Sequence, residues 1–146
     1  MLKTLENKLH SQIPMTKLMK LHVKAIDKEK LITTAPLDIN INDKGTGFAG
    51  SLSTIVTISA WSSCFLKIDA LGYKNPMIAI IKSDTAYRAP VTKDIYCETN
   101  LPTYEQLELV KEKLKLKGSA SLKIKSKIIE NEKVCVEFEG IYVIKV

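Results

Sequence analysis

Paired cysteines are missing from this sequence. Cys64, Cys97 and Cys135 are an odd number at wide spacing, and no C-x-x-C motif occurs. That excludes a disulfide framework and leaves no zinc signature. Each thiol sits among apolar neighbours, as a small buried hydrophobe does, and unpaired thiols fit a reducing cytoplasm. Histidine is scarce as well. His10 and His22 are the only two, so the pattern offers no ligand cluster for metal catalysis.

Long apolar runs are also lacking. Met1 to His10 alternates Leu with Lys and Glu, without the unbroken apolar stretch of a secretory signal, and none is expected. No charged residue occurs from Gly45 to Leu66, but Ser51, Ser53, Thr54, Thr57, Ser59, Ser62 and Ser63 fall inside that stretch. It would face lipid poorly, so no membrane association is expected.

What remains is ordinary in amount. At 146 residues, 45% apolar and 26% charged, the chain can bury one core, and residues 1–146 form one domain. Disordered, collagen-like and polytopic membrane classes are excluded. The net charge of +6 is concentrated: Lys111 to Lys127 hold seven lysines against the single acid Glu112, leaving the rest balanced. Such a face suits a polyanion, either nucleic acid or the phosphates of a large cofactor. The segment has no arginine and no aromatic residue for stacking bases, so a nucleic-acid partner is not expected.

Leu2, Leu5 and Leu9 have helical spacing, and Pro14 ends that helix. Leu21 to Asp27 and Leu31 to Ala35 read as a hairpin turning at Lys28–Lys30. Asp38, Asn40, Asn42, Asp43, Gly45 and Gly47 make Pro36 to Gly47 a loop. The uncharged segment, from about Gly50 to Leu71, is apolar nearly all round and reads as a buried helix. Too few other helices exist to surround it, so a sheet must. Met77 to Tyr87, Ile95 to Thr99, Leu122 to Lys125 and a closing hairpin turning at Asn131–Glu132 supply strands. Thr103 and Gln106 form a capping box ahead of a helix with the stripe Leu107, Val110, Leu114. The fold class is α+β, with a mostly antiparallel sheet around one central helix.

Several strings carry a resemblance. They are Leu5-x-x-x-Leu9-His10-x-x-Ile13-Pro14, Ala35-Pro36-Leu37, the stretch from Asn40 to Leu52 (NINDKGTGFAGSL), and Tyr87-Arg88-Ala89-Pro90-Val91 before Asp94. Over nearly the whole chain the sequence resembles hotdog-fold thioesterases of the YiiD C-terminal type. The resemblance implies a hotdog fold and a homodimer, or a dimer of dimers, with paired central helices. An acyl thioester of coenzyme A or of acyl carrier protein would lie between subunits, with no cofactor required beyond the thioester substrate. Trp61, Tyr73 and the apolar helix also exceed what one thin sheet covers.

The physical reading converges on the same stretch. A Gly-rich loop runs into the start of a buried helix, where unpaired N–H groups and the helix dipole can meet an oxyanion. Gly45, Gly47 and Gly50 would let backbone approach a ligand closely. The family pattern N-x-x-G-x-x-H-G-G reads here Asn42-x-x-Gly45-x-x-Phe48-Ala49-Gly50. Phe48 replaces the imidazole, and Ala49 replaces the first glycine. The resemblance implies that the Ala49 or Gly50 N–H meets the carbonyl and that Asn42 orients thioester or water.

Many hotdog thioesterases carry a carboxylate two turns into the helix; the equivalent here is about Thr57, and no acid lies between Asp43 and Asp69. Thr57, with Thr54 and Ser53, can at most position a water; Asp43 in the loop and Asp84 on the following strand are the remaining nearby acids, and of these Asp43 is the better candidate for the base. Some of Lys44, Arg88 and Lys93, rather than the whole lysine-rich segment, are expected to meet the carrier's phosphates. Without a helix carboxylate, an acyl-thioester-binding module that does not hydrolyse is the alternative. A hydratase needs a His near an acid, a spacing that neither His10 nor His22 provides.

Overall fold

The uncharged stretch folds, together with Lys67 to Ala70, as one helix of 22 residues, α3 (Ala49–Ala70), in a computed structural model that describes residues 1–146. Before it come α1 (Leu2–Gln12), α2 (Pro14–Leu18), β1 (His22–Ile26) and β2 (Lys30–Ala35); after it come β3 (Met77–Tyr87), β4 (Ile95–Asn100), α4 (Tyr104–Lys117), β5 (Ser119–Glu130) and β6 (Lys133–Lys145). The strands form one six-stranded sheet in the order β1-β2-β4-β5-β6-β3, and every pairing is antiparallel.

The sheet curls around α3. Leu52, Ile55, Val56, Ala60, Cys64 and Ile68 are buried on the helix and share one cluster with the inward residues of the strands, among them Leu31, Ile95, Ile124 and Ile144. The helix is not covered all round, as its composition had suggested. Ser53, Thr54, Thr57, Ile58, Trp61 and Phe65 stay partly exposed along one side, because the sheet wraps only part of the circumference. Trp61 and Phe65 stack there at 5.2 Å, and the Trp61 indole N–H donates to the Ile78 carbonyl of β3 at 3.1 Å.

Hydroxyls set the seating of α3. The Thr33 and Ser59 hydroxyls are 2.7 Å apart, and Ser63 Oγ donates to the Asn100 carbonyl at 2.7 Å. Nearby, Ser126 Oγ lies 2.8 Å from Thr99 Oγ1 and 3.1 Å from Cys97 Sγ. Apolar packing tolerates sliding; satisfied buried hydrogen bonds fix one position. From β6 the Tyr142 hydroxyl donates to the Thr57 carbonyl at 2.7 Å.

The expected capping box is present: Gln106 N–H donates to Thr103 Oγ1 at 3.1 Å, and Thr103 N–H to Gln106 Oε1 at 2.9 Å. Asn131 and Glu132 both have positive φ, 51° and 64°, the signature of a two-residue primed turn closing the β5–β6 hairpin. The short α2 is an addition to the sequence reading. Pro14 ends α1 and also opens α2 at the first helical position, where its missing N–H costs nothing.

Candidate functional site

Two of the strings quoted above meet in space. The Gly47 N–H donates to the Val91 carbonyl at 2.8 Å, and a Cβ on Gly47 would stand 3.0 Å from Val91 Cβ and 3.1 Å from Leu52 Cδ2. The Pro36–Phe48 loop, the start of α3 and the turn after β3 therefore form one packed unit.

Asn42 and Asn40 build the loop in different ways. Asn42 Oδ1 accepts from the Lys44 and Thr46 N–H groups at 2.8 and 3.1 Å, and its Nδ2 donates to Thr46 Oγ1 at 2.9 Å and to the Gly47 carbonyl at 3.3 Å. Both ends of that amide are engaged inside the loop, so Asn42 shapes it. Gly45, at φ +82°, takes the left-handed turn at the tip. Asn40, in a loop of turn-forming residues, is nevertheless buried. Its Nδ2 donates to the Met19 and Pro36 carbonyls at 3.0 and 2.8 Å, and its own carbonyl accepts from the Phe48 N–H at 2.8 Å. Asn40 thus ties the end of α2, held by its side chain, to the residue that caps α3, held by its backbone carbonyl.

That residue, Phe48, has extended backbone and supplies no side-chain cap. Its carbonyl accepts from the Leu52 N–H at 3.0 Å, while the N–H groups of Ala49, Gly50 and Ser51 have no acceptor within the chain. Ala49 and Gly50 are exposed and Ser51 partly so. Three free donors at the positive end of a long helix can stabilise an anionic oxygen. The Phe48 ring, 52% exposed, lies over Gly50 beside them.

The remaining expected residues are dispersed. Thr57 lies two turns along on the partly exposed side, and its hydroxyl donates back to the Ser53 carbonyl at 2.7 Å, leaving only lone pairs for a water. The Asp43 side chain is 85% exposed at the loop tip and pairs with Lys44 at 3.2 Å. Arg88 Nε donates to Glu137 Oε2 at 2.8 Å on the outer face of the sheet, so its charge is shared with a carboxylate while its Nη donors stay open to solvent. Lys93 Nζ bonds Asn131 Oδ1 at 3.2 Å, at the β5–β6 turn. Asp94 instead has a structural task, accepting from the Leu37 N–H at 2.9 Å.

A six-stranded antiparallel sheet wrapped on one long helix, with donors free at the helix start, defines a hotdog-fold protein. Residues 2–146 match the family model described as "Putative thioesterase (yiiD_Cterm)", and the chain belongs to that family. Solved structures agree. A protein of unknown function from Chlorobaculum tepidum is 30% identical with a TM-score of 0.91, over 98% of this chain and 93% of that one. A protein from Shewanella oneidensis described as a "putative thioesterase" is 29% identical with a TM-score of 0.86, over 97% and 95%. A Pseudomonas aeruginosa protein described as a "Probable Thioesterase" shares the fold at 16% identity and a TM-score of 0.74, over 98% and 94%. No curated protein matches the chain.

Proposed function

We propose that the protein hydrolyses an acyl thioester, carried by coenzyme A or by acyl carrier protein, at the start of α3. The observation that supports this most is the trio of unpartnered N–H groups at Ala49, Gly50 and Ser51, exposed or partly so beside the Phe48 ring. Water attacks the carbonyl carbon, negative charge develops on the carbonyl oxygen, and these donors meet it. The C–S bond then breaks, and the thiol leaves with a proton taken from the water. Fixed donors contribute because they need no reorganisation as the charge appears.

Thr57 lone pairs hold the attacking water, and no carboxylate on α3 deprotonates it. General-base assistance is worth roughly 10²–10⁴-fold, so turnover is modest. The same lack favours a second reading, a module that binds the thioester without cleaving it, since Asp43 points to solvent with Lys44 as partner. A panel of acyl-coenzyme A substrates, with released thiol followed over time, separates the two. Thiol release above background supports hydrolysis; saturable binding with no release assigns the binding module.

The working unit we propose is a homodimer. β3 is an edge strand of 11 residues, with Ile81 64% exposed and Met77, Ile80 and Tyr87 also open to solvent. A long apolar edge invites pairing with another strand. It lies beside the uncovered side of α3, so a second copy paired along β3 would cover both.

A further inference from the structure

The β4–β5 ladder is short. Only Cys97, Glu98 and Thr99 pair with β5, at Ile128, Lys127 and Ser126. Beyond Asn100 the chain leaves the sheet for α4, and a cavity of about 660 Å³ opens between the β1–β2 turn, the β4–α4 connection and β5. Five lysines line it, namely Lys28, Lys30, Lys67, Lys123 and Lys125, with Glu29 as the only acid. They arrive from three stretches far apart in sequence, the β1–β2 hairpin, α3 and β5, so the lysine-rich segment Lys111–Lys127 contributes only two of them.

The nearby carboxylates do not balance this charge. Glu98 serves both Lys30 and Lys127, at 3.4 and 4.0 Å. Glu139 serves both Lys123 and Lys125, at 3.6 and 3.8 Å. Lys28 and Lys67 have no carboxylate within ion-pair distance, and Lys67 is partly buried. Like charges gathered in a concave site raise its potential and concentrate anions there. A singly charged anion gains little against screening by salt, whereas one with several charges gains from each. On the rim stands Tyr104, 76% exposed, the first residue of α4. An aromatic face turned to solvent beside a cationic cavity is the arrangement that stacks a nucleobase. The volume of this open cavity falls in the range of small-ligand sites, and one tyrosine serves one base, not a polymer.

We propose that this cavity binds a nucleotide bearing two or more phosphate charges, with Lys28 and Lys67 holding the phosphates and Tyr104 the base. The cavity lies at the far end of α3 from the free N–H groups: Gly50 to Lys67 spans about 25 Å at 1.5 Å per residue. Two sources share this chemistry. One is a free nucleotide; the other is the nucleotide end of a coenzyme A thioester, an assignment that rests on the hydrolase reading above.

Calorimetry with ADP, adenosine 3′,5′-bisphosphate, coenzyme A and inorganic pyrophosphate tests the site without requiring turnover. The wild-type chain is compared with Lys28→Ala/Lys67→Ala and with Lys113→Ala/Lys115→Ala, whose lysines lie on α4 outside the cavity. The expected result is one saturable site, weakened about ten-fold or more by the cavity pair and less than about two-fold by the control pair. Tyr104→Ala should weaken the nucleotides and spare pyrophosphate.

A rise in KM for acyl-coenzyme A at constant kcat in the cavity variant supports the coenzyme as source. Lost ADP binding with KM unchanged supports a free nucleotide. No saturable binding of any probe at millimolar concentration overturns the site. Equal weakening by both lysine pairs also overturns it, by reducing the effect to diffuse surface charge.

Discussion

Phe48 lies across the Cα of Gly50: a Cβ placed on Gly50 would stand 2.5 Å from Cε2 of the ring. Gly50 is helical and does not have a positive φ, so backbone geometry does not demand glycine there; the ring does. Gly50→Ala gains up to about 1 kcal/mol of helix propensity but must push Phe48 aside. Thermal stability should therefore change little, while thiol release falls about ten-fold as the ring is displaced beside the donors. Phe48→Ala alone should lower thiol release by a similar factor, and adding it to Gly50→Ala should lower it little further, since both remove the ring from its place. Equal turnover in wild type and Gly50→Ala would show that the ring has no part in the site.

The two loop asparagines should separate on mutation. Asn40→Ala leaves the Met19 and Pro36 carbonyls without their donor in a buried setting, which costs about 1–3 kcal/mol for each group left unsatisfied. Asn42→Ala leaves groups that water can reach, so its stability loss should be under about 1 kcal/mol, with turnover lowered because the loop loses its internal staples. Denaturant midpoints and thiol-release rates measured on both variants check this. The reverse ranking in stability would reject the assignment of Asn40 as the buried tie.

All three cysteines are buried. Burial pushes the Cys64 thiol up to about 12, and raises Cys97 and Cys135 too, in spite of hydroxyls around Cys97. The thiolate is the reactive form, so native protein at pH 8 should titrate no thiol with an aromatic disulfide reagent until it is unfolded. That also keeps a thiol-release assay free of background from the protein. Rapid modification of any cysteine in the folded state would contradict the buried placement.

How much of this was legible in the sequence depends on how local the cause was. The capping box at Thr103 and Gln106 and the Asn131–Glu132 turn rest on neighbours in the chain, and both stand where the sequence put them. The central helix was legible because its first eighteen residues, Ala49 to Leu66, carry no charge. Arg88 was not legible. Ile78 and Ile80 pair with Ile144 and Tyr142 on the inward face, and strict alternation would carry Lys82, Asp84, Ala86 and Arg88 inward as well. A bulge between Ile80 and Lys82 reverses the alternation, so Asp84 pairs with Glu139 and Ala86 with Glu137 on the outer face. Arg88 follows them outward to Glu137. The burial of Asn40 was equally hidden, since it depends on α2, and five residues are too few to show a period.

Glu6 gives the fold a pH dependence. Its Oε1 accepts from the Val23 N–H at 2.8 Å and from His22 Nδ1 at 2.6 Å, and its Oε2 faces Lys3 at 3.3 Å, tying α1 to β1. Burial alone would raise its pKa, but these donors outweigh burial and hold it below the ordinary glutamate value. With the folded pKa below the unfolded one, the stabilisation is present above the unfolded-state pKa and is lost as pH falls through the folded-state pKa. Glu6→Gln should cost about 1–3 kcal/mol at pH 7, and the gap to wild type should close as pH falls through the lowered folded-state pKa. Denaturant unfolding across a pH series tests this, and a gap independent of pH would reject it.

The dimer prediction turns on the β3 edge. Unpaired backbone groups along 11 residues, flanked by exposed Ile80 and Ile81, lie next to the uncovered side of α3. Light scattering at micromolar concentration should give twice the 16.3 kDa of one chain. Ile81 is exposed at the bulge, so Ile81→Lys removes no core contact and should leave the monomer folded by circular dichroism. A charge facing its symmetry mate across a desolvated strand pair should weaken association by about 2–4 kcal/mol, the scale of an interface hot spot. If the thioester lies between subunits, turnover should fall in step with the fraction of dimer as the variant is diluted. A wild-type mass of one chain would remove the dimer, and a monomeric Ile81→Lys with full turnover would place the site within a single subunit.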